Sequence, residues 1–204
     1  MRKLMFFVML LLCSVVARVQ AQDMRTLFLN APDAMFPLLS SNDRADLVDF
    51  IEAGMTAKVT NRLDGVSVLR ELTADYMSLA TTASSTMDIK LLPVQGDTII
   101  CVVKTVKAEA ADSRVCFYDK QWNLLDVDTF FSLPAINEFF VSPTDEYMDM
   151  CDIYLVSLTL SAADCSLVAE YTMPAYMSVD DAGKARPLLR KLVYRWNGER
   201  FVID

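Results

Sequence analysis

MDIKLLPVQGDTIICVVKTVKAEAADSRVCFYDKQWNLLD, residues 87–126, is the stretch whose reading decides the fold. Residues 87–94 alternate apolar and polar side chains, and Gln95-Gly96-Asp97 supplies a turn. Residues 98–106 are rich in β-branched side chains, 107–113 form a polar break, and 114–118 are extended again. Branched side chains pack well on a pleated surface, and a period of two sends alternate residues to opposite faces. Runs of this kind, punctuated by Gly, Asp and Ser, predict an antiparallel meander that forms the core sheet.

Working outward toward the N-terminus, the clearest local signal is a helix. Ser41-Asn42-Asp43 offers cap residues and negative charge where helical amides are unsatisfied; Leu47, Phe50 and Ile51 form an apolar stripe; Gly54 stands where a helix stops. Asp43, Asp46, Asp49 and Glu52 recur every third residue, mostly off that stripe. Asn30-Ala31-Pro32 predicts the opening of an earlier helix, with residues 23–29 as an extended or helical lead-in. Residues 66–72 and 76–79 read as edge strands, and the Thr/Ser-rich residues 81–86 as an approach to the meander.

Toward the C-terminus, Asp119-Lys120-Gln121 turns the chain into a short strand at 122–125, and 126–131 and 134–140 read as short helices. Residues 152–160 predict a strand with Tyr154, Val156, Leu158 and Leu160 on one face. Residues 165–173 return with Cys165, Leu167, Ala169 and Tyr171 on one face. Residues 178–184 read as a polar loop and 188–196 as a strand. Asn197-Gly198, a strong hairpin signal, then leads into a closing strand at 200–203. The expected class is α+β, with N-terminal helices packed on antiparallel meanders. Both halves of the chain run from helix through strands to an aromatic strand, a tight polar turn and a short apolar strand. That rhythm fits a single domain over 22–204, either as two similar halves (22–126 and 127–204) or as the ordinary cadence of an α+β chain.

The first residues carry an address. Arg2 and Lys3 precede a nearly unbroken apolar run from 4 to 16, and Val19-Gln20-Ala21 places small residues at −3 and −1 of a cleavage site. This predicts a cleavable signal peptide over 1–21, too short for a comfortable membrane span. Leu12 stands before Cys13 where a lipid-anchored chain wants a small residue. Cleavage removes Arg2, Lys3 and Arg18 and no acid, taking the formal charge from −8 to −11. So acidic a surface repels phosphate backbones, so nucleic acid is not an expected partner. Cys101, Cys116, Cys151 and Cys165 remain, and an exported chain is free to pair them or to bury them as small hydrophobes.

Several strings together carry a resemblance: NDRADLVDF at 42–50, TNRL at 60–63, MDIKLLP at 87–93, CVVKTV at 101–106 and SRVCFY at 113–118. With these the chain resembles domain-of-unknown-function family number 3256, exported proteins of Bacteroidales gut and oral bacteria, over most of its length beyond residue 21. The resemblance implies a periplasmic or surface-associated location. It brings no catalytic or binding residues with it.

The chemistry open to the chain is narrow. It has no histidine, which removes Ser-His-Asp and Cys-His catalysis and His-ligated zinc. Five glycines leave no phosphate loop or dinucleotide fingerprint, and the cysteines lie 15, 35 and 14 residues apart, without a C-x-x-C pair. No cofactor is expected. Asp145, Glu146, Asp149 and Asp152 form an acidic cluster suited either to carboxylate acid/base chemistry or simply to solvation. Neither this cluster nor Asp43, Asp46 and Asp49 has the spacing of a calcium loop. Tyr118, Trp122, Tyr171, Tyr176, Tyr194 and Trp196 fall near strand ends, with Met148, Met150, Met173 and Met177 nearby, and read as core or as an interaction surface. Tyr118, Trp122, Tyr194 and Trp196 are the candidates for that surface. The expected function is a non-catalytic binding module of the bacterial envelope, with an envelope protein or a glycan as partner. The alternative is a carboxylate-dependent hydrolase acting on glycan or peptide.

Overall fold

Asp23 opens the first helix: its carboxylate accepts a hydrogen bond from the Thr26 amide at 2.8 Å, and the Thr26 side chain together with that amide holds its pKa below the ordinary value. The computed structural model describes residues 23–142, 151 and 153–204. Residues 1–21, read from the sequence as a signal peptide, and Asp145, Glu146, Asp149 and Asp152 lie outside the described residues.

Helix α1 (Met24–Leu29) buries Met24, Leu27 and Phe28, an i, i+3, i+4 set. The helix expected from Asn30-Ala31-Pro32 is a single 3-10 turn, Asp33–Met35, because Pro37 offers no amide with which to continue a ladder. Helix α2 (Ser41–Glu52) begins with a reciprocal cap. The Ser40 hydroxyl accepts from the Asp43 amide at 3.1 Å, and the Asp43 carboxylate accepts from the Ser40 amide at 2.7 Å. It ends where Gly54 takes a φ of 69°. Its buried face is Arg44, Leu47 and Val48, with Phe50 and Ile51 half-buried, so the stripe is rotated toward the N-terminal end and includes a cation. The Arg44 guanidinium donates to Asp33 Oδ1 and to the Ala31 carbonyl, each at 3.0 Å, and lies 5.9 Å from the Phe36 ring centre.

Seven strands follow in an unbroken antiparallel meander: β1 (Lys58–Thr60), β2 (Val66–Leu72), β3 (Tyr76–Thr82), β4 (Ser85–Val94), β5 (Asp97–Lys107), β6 (Ala111–Tyr118) and β7 (Leu124–Leu125). β4 and β5 pair from Ser85↔Val106 to Val94↔Asp97, closed by Gln95 and Gly96, the glycine at a φ of 72°. The expected edge strands β2 and β3 lie inside the sheet, and β1 takes the edge. The hydroxyl-rich stretch is not a lead-in but the β3–β4 hairpin, where the hydroxyls of Thr81 and Thr82 lie 2.7 and 2.6 Å from that of Ser85. Polar composition hid this, because those hydroxyls satisfy one another instead of facing water.

Beyond a short helix α3 (Val127–Phe130) and a 3-10 turn Ile136–Phe139, the chain builds a second antiparallel sheet. Its strands are β8 (Val156–Leu160), β9 (Ser166–Tyr171), β10 (Leu192–Trp196) and β11 (Phe201–Ile203), in the order β11-β10-β9-β8. Between β9 and β10, the stretch read as a polar loop is helix α4 (Val179–Ala185). Ser178 caps it by accepting from the Asp181 amide, and Asp180 and Asp181 sit in the first turn where carboxylates favour a helix. The strand expected from 188 starts only at Leu192, after a 3-10 turn at Arg186–Leu188 that contains Pro187.

The central sheet is buried on both faces. Met77, Leu79, Met87, Ile89, Ile100 and Val102 pack against α1 and α2. Leu92, Ile99, Cys101, Val103, Val115 and Phe117 pack against Val156, Leu158, Leu167, Ala169 and Tyr194 of the second sheet. The layers are helices, seven-stranded sheet and four-stranded sheet. β8 lies over β4, β5 and β6, and polar side chains fix it there. Asp112 and Ser113 accept from the Val156 and Leu158 amides at 3.3 and 3.0 Å, and the Thr172 hydroxyl donates to the Ala111 carbonyl at 2.6 Å.

Candidate functional site

Where the two sheets meet at the β5–β6 hairpin, the surface opens into a groove of about 430 Å³. One wall is the end of β5 with its hairpin, from Lys107 to Ala111; the other is the end of β9 and the turns flanking α4. The hairpin is closed by the Ala108 amide donating to the Ala110 carbonyl at 3.1 Å. The Thr172–Ala111 hydrogen bond ties the walls together, so the groove is built into the contact between sheets.

Aliphatic groups from Ala110, Ala111, Pro174, Ala175 and Leu189 line it together with Tyr171. Charge surrounds them: Lys107, Arg186, Arg190 and Lys191, with Glu109 and Glu170. Lys191 and Glu170 pair at 2.6 Å, and the Arg190 Nε donates to the Glu138 carbonyl at 2.9 Å. Lys107, Arg186 and Arg190 have no carboxylate within ion-pair distance among the described residues. In a chain of net charge −8, three uncompensated cations along one apolar groove form a place suited to an anionic ligand.

The aromatic candidates do not come together. Tyr118 is buried in the helix-side core, and Trp122 packs beside it with ring centres 5.7 Å apart. Burial raises the Tyr118 phenol pKa. Tyr194 is buried in the inter-sheet core, where burial pushes its pKa up to about 12. Trp196 is half-buried against the same core, and its indole N–H donates to the Pro93 carbonyl at 2.7 Å. The four side chains thus divide between opposite faces of the central sheet. Asp145, Glu146, Asp149, Asp152, Met148 and Met150 lie outside the described residues. Among the described residues no cluster of three or more His, Cys, Asp or Glu side chains is arranged to hold a metal. No helix there is long and apolar enough to cross a membrane.

On β4, the charges of buried Lys90 and half-buried Asp88 went unread in the sequence. Lys90 is almost wholly buried: its ammonium lies 2.9 Å from Asp75 Oδ2, donates to the Ala162 carbonyl at 3.1 Å, and sits 5.8 Å from the Tyr76 ring centre. Asp88, two residues earlier on the same face of β4, has its carboxyl pKa raised, chiefly by burial. Its Oδ1 has no hydrogen-bond partner. Asp88 lies outside the groove.

The profile of one family, described as Protein of unknown function (DUF3256), matches residues 16–201. A solved structure of a domain of an uncharacterized protein from Porphyromonas gingivalis W83 superposes with a TM-score of 0.77 at 26% identity, covering 90% of this chain and 98% of that one. No curated protein matches the chain.

Proposed function

The chain belongs to the family described as Protein of unknown function (DUF3256), and from that premise we propose that it is a non-catalytic binding module of the bacterial cell envelope. The observation that carries this reading is the groove between the sheets, with aliphatic lining and three cations that no carboxylate among the described residues neutralises. Pockets for ligands combine an apolar lining with a few convergent polar groups in about 300–1,000 Å³, and this groove fits that description. The sequence adds the address, a cleavable signal peptide that delivers the chain to the periplasm or beyond.

The hydrolase alternative draws no support from the groove. Its carboxylates are Glu109 and Glu170, and Glu170 is held by Lys191 at 2.6 Å. The test is a photoreactive side chain introduced at Ala175, an exposed groove residue, and separately at Ala83, an exposed residue in the β3–β4 turn. Irradiation of intact envelopes is expected to give a discrete adduct from position 175 and none from position 83. A bare chain at position 175 under the same conditions removes the groove as the binding site.

A further inference from the structure

We propose that the ligand class of this groove is an acidic peptide segment, with carboxylates spaced by aliphatic side chains; this rests on the groove being the binding site. Three features select it. First, the apolar part of the lining is aliphatic apart from one ring, so it suits aliphatic side chains better than sugar rings, which favour flat aromatic faces. Among the described residues the one aromatic ring in the lining, Tyr171, is 7% exposed and donates its hydroxyl to the Ile153 carbonyl.

Second, two of the three uncompensated cations are arginines, whose planar fork matches a carboxylate with two parallel hydrogen bonds. The Arg186 side chain makes no hydrogen bond or ion pair among the described residues, leaving its whole fork available. Arg190 is steadied by Glu138, which orients a second fork on the same wall.

Third, Glu109 and Glu170 stand in the lining beside the cations. A densely sulfated or phosphorylated polymer would bring charge against both acids. A peptide with separated carboxylates meets the cations and leaves the acids between its charges. Glu170, already satisfied by Lys191, also keeps that lysine from adding to the positive field. The groove is therefore tuned to a sparse anion rather than a dense one.

The test is fluorescence anisotropy with a labelled hexapeptide alternating glutamate and leucine, its glutamine–leucine counterpart, and heparin as the dense polyanion. The glutamate peptide is expected to bind saturably and at least tenfold more tightly than the glutamine peptide. Lys107→Glu with Arg186→Glu, both exposed positions without side-chain partners among the described residues, is expected to weaken it at least tenfold with the circular dichroism spectrum unchanged. Lys58→Glu, an exposed cation on β1, is expected to leave binding as it was. Heparin binding that the groove variant abolishes, without peptide binding, overturns the peptide assignment but keeps the groove. Peptide binding that the groove variant leaves intact overturns the assignment too. An adduct at position 175 with no affinity for the glutamate peptide likewise sinks this inference alone, whereas no adduct and no affinity sink both.

Discussion

At the scale of single residues, the buried and half-buried charges carry the sharpest consequences. Burial raises the Asp88 carboxyl pKa, the Ser78 hydroxyl and Arg70 pull it down, and Glu71 raises it further. Because folding raises this pKa, the native chain holds the proton more tightly than the unfolded one. The contribution to stability is full below the ordinary carboxylate range and is lost as pH rises through the folded value. Asp88→Asn is therefore expected to raise the unfolding free energy at pH 7 by about 1 kcal/mol, the scale of a poorly satisfied buried polar group. Urea titrations at pH 7 and pH 4 check it: the gain should shrink at the lower pH, and an equal gain at both contradicts the assignment. Arg44 poses the complementary case. It is 2% exposed while Asp33 is solvated, so Asp33→Ala strands a buried cation, and Arg44→Met replaces it with apolar bulk. The first is expected to cost about 1–2 kcal/mol, discounted for the exposure of Asp33, and the second less. Chemical denaturation of both variants gives the order. Neither of the two fully buried cations, Arg44 and Lys90, was legible in advance. Arg44 reads as an ordinary exposed helix residue, and Lys90 fits the polar beat of a strand alternation, because the second sheet that covers that face arrives some seventy residues later.

Among the elements, legibility follows how local the causes are. The β4–β5–β6 meander was readable because period, branching and turn residues act within a few positions. The α2 boundaries were readable to within a residue: the cap expected at Ser41-Asn42-Asp43 is Ser40, one position earlier, while Gly54 stands where expected, because a cap and a stop each act within one turn. Helix α4 was missed because Ser178, Asp180 and Asp181 have the composition of a loop, and only the cap geometry shows that they start a helix. The groove was missed for a different reason: its walls are residues 107–111 and residues from 170 to 191, brought together by packing of the two sheets. One element has a further measurable property. β8 presents a strand edge whose amides at Val156 and Leu158 are taken by Asp112 and Ser113. Ser113→Ala leaves the Leu158 amide unpaired and is expected to cost about 1–2 kcal/mol. The variant's thermal midpoint measures this, and an unchanged midpoint would show that water or a neighbouring group replaces the hydroxyl.

For the whole molecule, the charge balance and the address can be tested without knowing the ligand. If residues 1–21 are a signal peptide, the protein recovered from its host's envelope begins near Gln22, as N-terminal sequencing would show; a chain starting at Met1 contradicts export by this route. The three-layer arrangement also sets the four aromatic candidates apart. Tyr118 with Trp122, and Tyr194 with Trp196, occupy similar places in the two strand-and-turn units, but those units face different cores. The central sheet separates them, and sequence alone carries no signal for which face of a strand each neighbouring layer will cover.

That separation also equips the molecule with its own clocks. Val102 pairs with Cys116, and Cys101 with Phe117, so the two thiols are near neighbours on adjacent strands yet point to opposite sides of the central sheet. Burial raises the Cys101 pKa far above its usual value, so its reactive thiolate is scarce until the two sheets part. Cys116, half-buried on the other side, becomes accessible when the helical layer lifts. Labelling rates of these two thiols, resolved from those of Cys151 and Cys165 by peptide mass mapping, would then time the separation of each layer in one experiment. Equal rates would mean the three layers come apart together, and unequal rates would reveal which interface breathes first.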